Sequence, residues 1–276
     1  MSDTDGAARP PRKHALFGVS VSATDYPGVV AFVMDVARRR GSAVVDLMPV
    51  HGLVTANRDA SFRRMLNGMD VVAPDGQPVR WALNRFHGAG LTDRVYGPEL
   101  TLRVCAAAAE SGVGVYLYGS VPGVLEKLSA SLTSRFLNLR LVGAESPPFR
   151  ALTPEEDDAV VRRINDSGAG IVLIGLGCPK QEVFAFEHRD RIRAAMLCVG
   201  AAFDFHAGVK RIAPPIMQRL SLEWLFRLYQ EPGRLWKRYL VTNSIFIYLV
   251  AAHWVRNRGF SSPLEDADVT DAVVGA

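Results

Sequence analysis

Cysteine is scarce: Cys105, Cys178 and Cys198 are the only three in 276 residues, and no two form a Cys-x-x-Cys pair. A disulfide framework and a zinc cluster of ordinary spacing are thereby excluded, and a reduced compartment is expected. Long apolar runs are also missing. Within Tyr239–Val255, Thr242, Asn243 and Ser244 leave only Ile245–Ala252 uninterrupted, whereas a spanning helix needs about 20 apolar residues. Residues 1–14 are polar, have no apolar stretch of signal-peptide type and read as a disordered lead-in. Several nucleotide signatures fail. Gly175-Leu176-Gly177 has Lys180 where a dinucleotide fingerprint needs its third glycine, no Gly-Lys pair offers a phosphate-binding loop, and no Tyr-x-x-x-Lys pair is present. The folded part has no Asp-x-Asp; Asp3-Thr4-Asp5 and Asp266-Ala267-Asp268 fall in the polar terminal stretches, so no metal site is expected.

What is present is core material and a lopsided charge. Hydrophobic residues make up 49% of the chain and charged ones 22%, which excludes wholesale disorder. The net charge of +4 is local in origin. From Phe205 to Arg258, nine Lys/Arg stand against Glu223 and Glu231, a net +7, while the tail from Gly259 carries −4. A basic segment of this kind suits an anionic partner such as a phosphate or a membrane surface, or is simply a solvated face. A nucleic-acid surface is disfavoured. Trp224, Phe226, Tyr229, Trp236 and Tyr239 interleave with the arginines, but aromatics at helical spacing are more often core.

Short apolar runs alternate with helical patterns over most of the chain. Strands are expected at Val19–Ser22, Ala43–Leu47, Leu53–Thr55, Val71–Ala73, Val113–Tyr118, Leu139–Val142, Ile171–Gly175 and Met196–Val199. Helices are expected between them, including Pro27–Arg40, Ala60–Asn67, Gln77–Phe86, one from Pro98, one opened by the capping box Thr153-Pro154-Glu155-Glu156, and Lys180–Arg193. This rhythm predicts an α/β, Rossmann-like fold, a mostly parallel sheet with helices on both faces. After Asp204 the strands stop. Helical patterns at Ile216–Tyr229 and Arg234–Val255 form a C-terminal appendage. The expected organisation is a lead-in over 1–14, an α/β catalytic domain over 15–210, a basic helical appendage over 211–258 and an acidic disordered tail over 259–276.

In open α/β sheets ligands sit beyond the carboxyl ends of the strands, which singles out four segments. Thr55-Ala56-Asn57 offers hydrogen-bonding side chains, although these are also common turn and cap residues. Pro74-Asp75-Gly76 is an ordinary turn sequence, but here it closes a strand and opens a helix, placing a carboxylate at the active edge. Tyr118-Gly119-Ser120 brings glycine N–H groups and a helix N-terminus together. Gly175-Leu176-Gly177-Cys178-Pro179-Lys180-Gln181-Glu182 is the strongest: a tight turn after which Gln181 and Glu182 are expected to project at the ligand edge. Otherwise Glu182 is a favourable first-turn acid.

These segments, with Arg94-Val95-x-Gly97, Phe203-Asp204, Gly208, Leu222-Glu223-Trp224-Leu225-x-Arg227-Leu228 and Glu231-Pro232-x-Arg234, follow one family's order. Over about residues 15–255 the chain resembles the bacterial WecG/TagA/CpsF glycosyltransferases. The resemblance implies an inverting transferase with a UDP-sugar donor and a polyprenyl-diphosphate-linked acceptor in cell-surface polysaccharide synthesis. It implies peripheral attachment at the inner face of the plasma membrane and no cofactor. It makes Asp75 the base and extends substrate binding to Thr55, Asn57, Gly76, Arg94, Gly119, Ser120, Gly175, Gly177, Pro179, Gln181, Glu182 and Asp204, with Arg227, Arg234 and Arg238 completing the site from the appendage. Ala56 departs from the proline many members carry there. The apolar, basic-ended C-terminal helix suits a membrane interface or packing on the body or on a second copy in a homo-oligomer. A nucleotide-dependent oxidoreductase or epimerase on the same fold is the alternative, weakened by the missing signatures.

Overall fold

The computed structural model describes residues 8–219 and 222–258. An antiparallel hairpin, β1 (Lys13–Leu16) and β2 (Val19–Ser22), leads into α1 (Tyr26–Arg38). Then come β3 (Ala43–Met48), α2 (Val50–Arg58), α3 (Ala60–Asn67), β4 (Val71–Pro74), α4 (Gln77–His87), α5 (Gly97–Ser111), β5 (Gly114–Gly119), α6 (Pro122–Arg135) and β6 (Arg140–Glu145). The body continues through α7 (Pro154–Asp166), β7 (Ala169–Gly175), α8 (Lys180–Glu187), β8 (Ala195–Cys198) and α9 (Ala202–His206). The appendage is α10 (Pro215–Arg219), α11 (Glu223–Gln230) and α12 (Pro232–Arg258).

Strands β3 to β8 form one parallel sheet in the order β4-β3-β8-β7-β5-β6. Its central strands are nearly continuous runs of Val, Ile, Leu, Ala and Met, as burial on both faces requires. One face packs Val45, Leu117, Leu173 and Leu197 under α1, α5 and α6. The other packs Val44, Met48, Val72, Ile174 and Met196 under α2, α3, α7 and α8. The mostly parallel sheet with helices on both faces and a C-terminal helical element is the expected architecture.

Four expectations change. Leu53–Thr55 is not a strand: β3 ends at Met48, Pro49 opens α2, and Thr55 to Asn57 lie inside that helix. The run Ile216–Tyr229 is two short helices, and Lys180–Arg193 is helical only to Glu187. The expected disordered lead-in over 1–14 is already placed from Ala8, whose N–H donates to Asp35 at 3.0 Å, and β1 begins at Lys13. The tail 259–276 lies outside the described residues.

The appendage folds back on the body. Leu235, Thr242 and Phe246 of α12 are buried, and α12 packs along α2. Lys210 forms ion pairs with Asp204 of α9 (2.9 Å) and Glu231 at the α11–α12 junction (3.0 Å).

At the carboxyl ends, Gly119 and Gly175 are register partners at the last positions of β5 and β7. Gly119 has φ +128°, and a Cβ there would lie 2.6 Å from the backbone of Gly175. Gly119→Ala is therefore expected to cost about 2–4 kcal/mol, from backbone strain together with a contact that only main-chain movement relieves. Thermal or urea denaturation against wild type measures it.

Candidate active site

Four of the helices that leave the sheet edge share a local feature. α2, α4, α6 and α8, which follow β3, β4, β5 and β7, have no side-chain N-cap: Pro49, Gly76, Val121 and Pro179 occupy those positions. α1, α3 and α7 are capped by Asp25, Asp59 and Thr153, the last with a full capping box. Uncapped helix starts leave backbone N–H groups and the positive end of the dipole facing the edge, an arrangement that favours anions. Positive φ at Ser120 (59°) and Gly177 (79°) shapes two of the turns, and the Cys178–Pro179 bond is cis.

Asp75 stands at the mouth of β4. It is partly exposed, and its Oδ1 accepts the Gly97 N–H at 2.9 Å. Burial pushes its carboxyl above the ordinary value; the Arg94 guanidinium and the Gly97 N–H oppose that shift, Glu223 adds to it, and Arg227 opposes it. Arg94, on the segment before α5, is 7% exposed; it forms an ion pair with Glu223, the first residue of α11, and its guanidinium lies 4.2 Å from the Tyr96 ring centroid. Body and appendage thus meet in a charge cluster of Asp75, Arg94, Glu223 and Arg227. A pocket of about 390 Å³ opens beside it, lined by Gln77, Asp93, Arg94, Tyr96 and Gln218 among others.

Arg238 approaches the edge further along. It lines a groove of about 300 Å³ between α2 and α12 with His51, Thr55, Arg58 and Lys237. Burial and Arg238 both lower the His51 pKa. Arg234 lies on α12, its side chain outside the described residues.

Several expected site residues are placed differently. Thr55 donates to the His51 carbonyl inside α2, although it reaches the Arg238 groove; Asn57 donates to the Phe17 carbonyl beside the β1–β2 turn, away from the edge. The physical cause is Pro49, whose fixed φ and lost donor end β3 and start a helix. Gln181 and Glu182 do not project. They are 5% and 3% exposed, because the first turn of α8 points inward against Asp46 of β3. Asp204 is engaged with Lys210. Gly76, Gly119, Ser120, Gly175, Gly177 and Pro179 do lie along the edge, as βα-turn backbone.

Asp46, Tyr96, His51 and the partnership of Glu223 with Arg94 were not singled out from sequence. Asp46 had a visible signal, a lone acid within the apolar run Ala43–Met48.

A parallel α/β body with its acid, arginines and uncapped helix starts gathered at one sheet edge, beneath a helical flap, has the layout of a group-transfer enzyme acting on an anionic substrate. A family model described as the Glycosyl transferase WecG/TagA/CpsF family matches residues 14–259. The chain belongs to that family, and so is a glycosyltransferase of cell-surface polysaccharide synthesis, a class that implies a sugar donor and a lipid-linked acceptor.

The cluster predicts opposite titration shifts. Arg94→Ala removes the nearest cation and frees the Glu223 charge, both of which raise the Asp75 pKa; Glu223→Gln lowers it by removing an anion. A carbon NMR titration of the Asp75 carboxyl should move up in the first variant and down in the second.

Proposed function

We propose that this chain is an inverting transferase that moves a sugar from a UDP-sugar to a polyprenyl-diphosphate-linked acceptor, with Asp75 as general base. The observation that carries the reading is a partly exposed carboxyl at a sheet edge, its pKa raised by burial, with two arginines beside it and a second element folded over it. A raised pKa brings a carboxylate closer to the ideal strength for a base near neutral pH. In the step, Asp75 takes the proton of an acceptor hydroxyl. The hydroxyl oxygen bonds to the anomeric carbon, the bond from that carbon to the β-phosphate oxygen breaks, and UDP departs carrying the electron pair.

The donor diphosphate lies, in this reading, across the Gly119 and Gly175–Gly177 turns, where helix N-termini and glycine N–H groups supply donors. β7 is three strands from β4 and β5 is four, so at about 4.8 Å per strand the Gly175–Gly177 and Gly119 turns stand about 14 Å and about 19 Å from Asp75; the anomeric carbon, one oxygen from the β-phosphate, therefore lies on the Asp75 side, with the α-phosphate and nucleoside toward the turns. Arg227, Arg234 and Arg238 take up the charge that develops on UDP, since a guanidinium fork matches phosphate oxygens in pairs. Arg94 acts through Asp75 and Glu223. Asp75→Asn should lower UDP release with a lipid-diphosphate acceptor by about 100-fold or more while leaving the melting temperature near wild type; near-normal turnover removes the base assignment.

Membrane attachment belongs to the same reading. No helix among the described residues is long and apolar enough to cross a bilayer. The face of α12 opposite Leu235, Thr242 and Phe246 nonetheless exposes Trp236, Leu240, Ile247 and Tyr248 (49%, 63%, 67% and 69%), with basic residues at both ends of the helix. Such a helix suits the interface plane of the cytoplasmic leaflet. Full-length protein should float with vesicles containing anionic lipid, and Leu240→Asp/Ile247→Asp should not. If the double variant instead only converts a dimer to a monomer in sedimentation, this face joins two copies.

A further inference from the structure

Asp46 interrupts a strand that is otherwise apolar and buried along its whole length. It is 1% exposed, with Val72 of β4 and Cys198 of β8 as register partners. Neither of its side-chain oxygens, nor Oε2 of Glu182, has a well-formed hydrogen-bond partner, and the Leu47 N–H is the backbone donor that bears on Asp46. The two carboxyls are instead each other's neighbours. Three acceptor oxygens without well-formed donors, away from water, are costly as two anions. One proton resolves the conflict, since adjacent buried carboxyls cannot both ionise.

We propose that Asp46 is held as a neutral acid that donates its proton to Glu182, and that this pair positions Gln181 and the Gly175–Pro179 turn for the donor. The last clause rests on the donor placement above; the proton-sharing pair does not.

The bonding runs outward from the pair. Glu182 Oε1 accepts from Gln181 Nε2 at 3.1 Å, and Gln181 Oε1 accepts the Gly177 N–H at 3.2 Å. On its other side the amide lies against Gly200, where a Cβ would come within 3.2 Å of Gln181 Oε1. An ionised Glu182 thus fixes which end of the amide faces the turn. Burial, then Glu182, then Asp75 favour the proton on Asp46, while the Leu47 backbone opposes it. The remaining groups around the pair are the Cys178 and Cys198 thiols, both pushed up mainly by burial, with Arg238 of α12 acting on Cys178. Loss of the Asp46 proton would set two anions side by side and push the Gln181 anchor out of place. Asp46 and Glu182 are positioning residues, not catalytic ones.

The test uses full-length protein with Asp46→Asn, which keeps a donor and removes the charge, and Asp46→Leu, which removes both. At neutral pH the infrared spectrum of wild type should show the C=O band of a buried neutral carboxylic acid, and Asp46→Asn should lack it. Because the folded pKa of Asp46 is raised, its favourable contribution is complete below the unfolded value of 3.8 and is lost as pH rises. Asp46→Asn should therefore melt at or above wild type at pH 8 and gain least near pH 4. With donor and acceptor, Asp46→Asn should keep a wild-type KM for the donor and lose part of the alkaline fall in rate. Asp46→Leu should raise that KM about tenfold, a scale set by displaced positioning groups, with kcat less affected. Absence of the band, or Asp46→Asn as unstable at pH 8 as Asp46→Leu, overturns the shared proton. A band and stability order as expected, with donor KM unchanged in Asp46→Leu, overturn the positioning role. If no variant or wild type releases UDP while the band and stability order hold, it is the UDP-sugar reading that fails and the pair that stands.

Discussion

A charge kept from water must be answered by another charge or by donors, and the Arg94–Glu223 pair is where this protein meets that constraint most sharply. Arg94 belongs to the body and Glu223 to the appendage, and both side chains are largely withdrawn from solvent. Removing either leaves its partner buried and uncompensated, which in general is far more damaging than losing a surface ion pair. The same guanidinium holds the Asp75 carboxyl below the pKa that burial alone would impose. One group therefore joins the appendage to the body and tunes the acid beside it, so that the seating of the appendage and the Asp75 pKa are linked. The Lys210 bridges to Asp204 and Glu231 add a second clasp, about a quarter exposed at each side chain, and so a weaker one.

The sheet edge shows a contrast in local chemistry that fits this arrangement. Where a helix start has only structural work, as in α1, α3 and α7, an Asp or Thr caps it. At the carboxyl ends of β3, β4, β5 and β7 the cap is proline, glycine or valine, and the orphan N–H groups stay unclaimed by side chains, whereas α7, after the outermost strand β6, keeps its Thr153 cap. Forgoing caps costs stability, about 1 kcal/mol each. A repeated departure from good local practice at one edge is the pattern expected of a functional surface.

Much of this could be read from residue patterns. Apolar runs such as Ile171–Ile174 and the capping box at Thr153 locate strands and helices because burial and capping are local and periodic. Asp75 was legible because a Pro-Asp-Gly turn after a buried strand has only one end of the sheet to occupy. The errors arose where local signals compete. Leu53-Val54-Thr55 has strand-like residues, but Pro49 opens a helix on whose buried face Leu53 and Val54 lie. Gln181 and Glu182 looked outward-facing because polar residues at a helix start usually are. Their burial depends on Asp46, more than 130 residues away in sequence, so only the tertiary fold discloses it. The Arg94–Glu223 contact is non-local in the same sense.

The appendage illustrates how one helix serves two surfaces. Leu235, Thr242 and Phe246 recur at near-helical spacing and turn inward, and Arg238, one turn from Leu235, comes with them to the groove on α2. Leu240 and Ile247 fall on the opposite side and stay exposed. Packing on the body thus accounts for only part of the apolar character of α12, and the other part stays exposed. Under the proposed reading, seating that outer face in a lipid headgroup layer turns the arginine-lined side of the same helix toward the sheet edge. A lipid-linked diphosphate would then arrive from the surface to which the flap is already attached. Orientation at the membrane and assembly of the site become consequences of a single rigid element, since rotating α12 to hide its outer face would withdraw Arg238 from the edge.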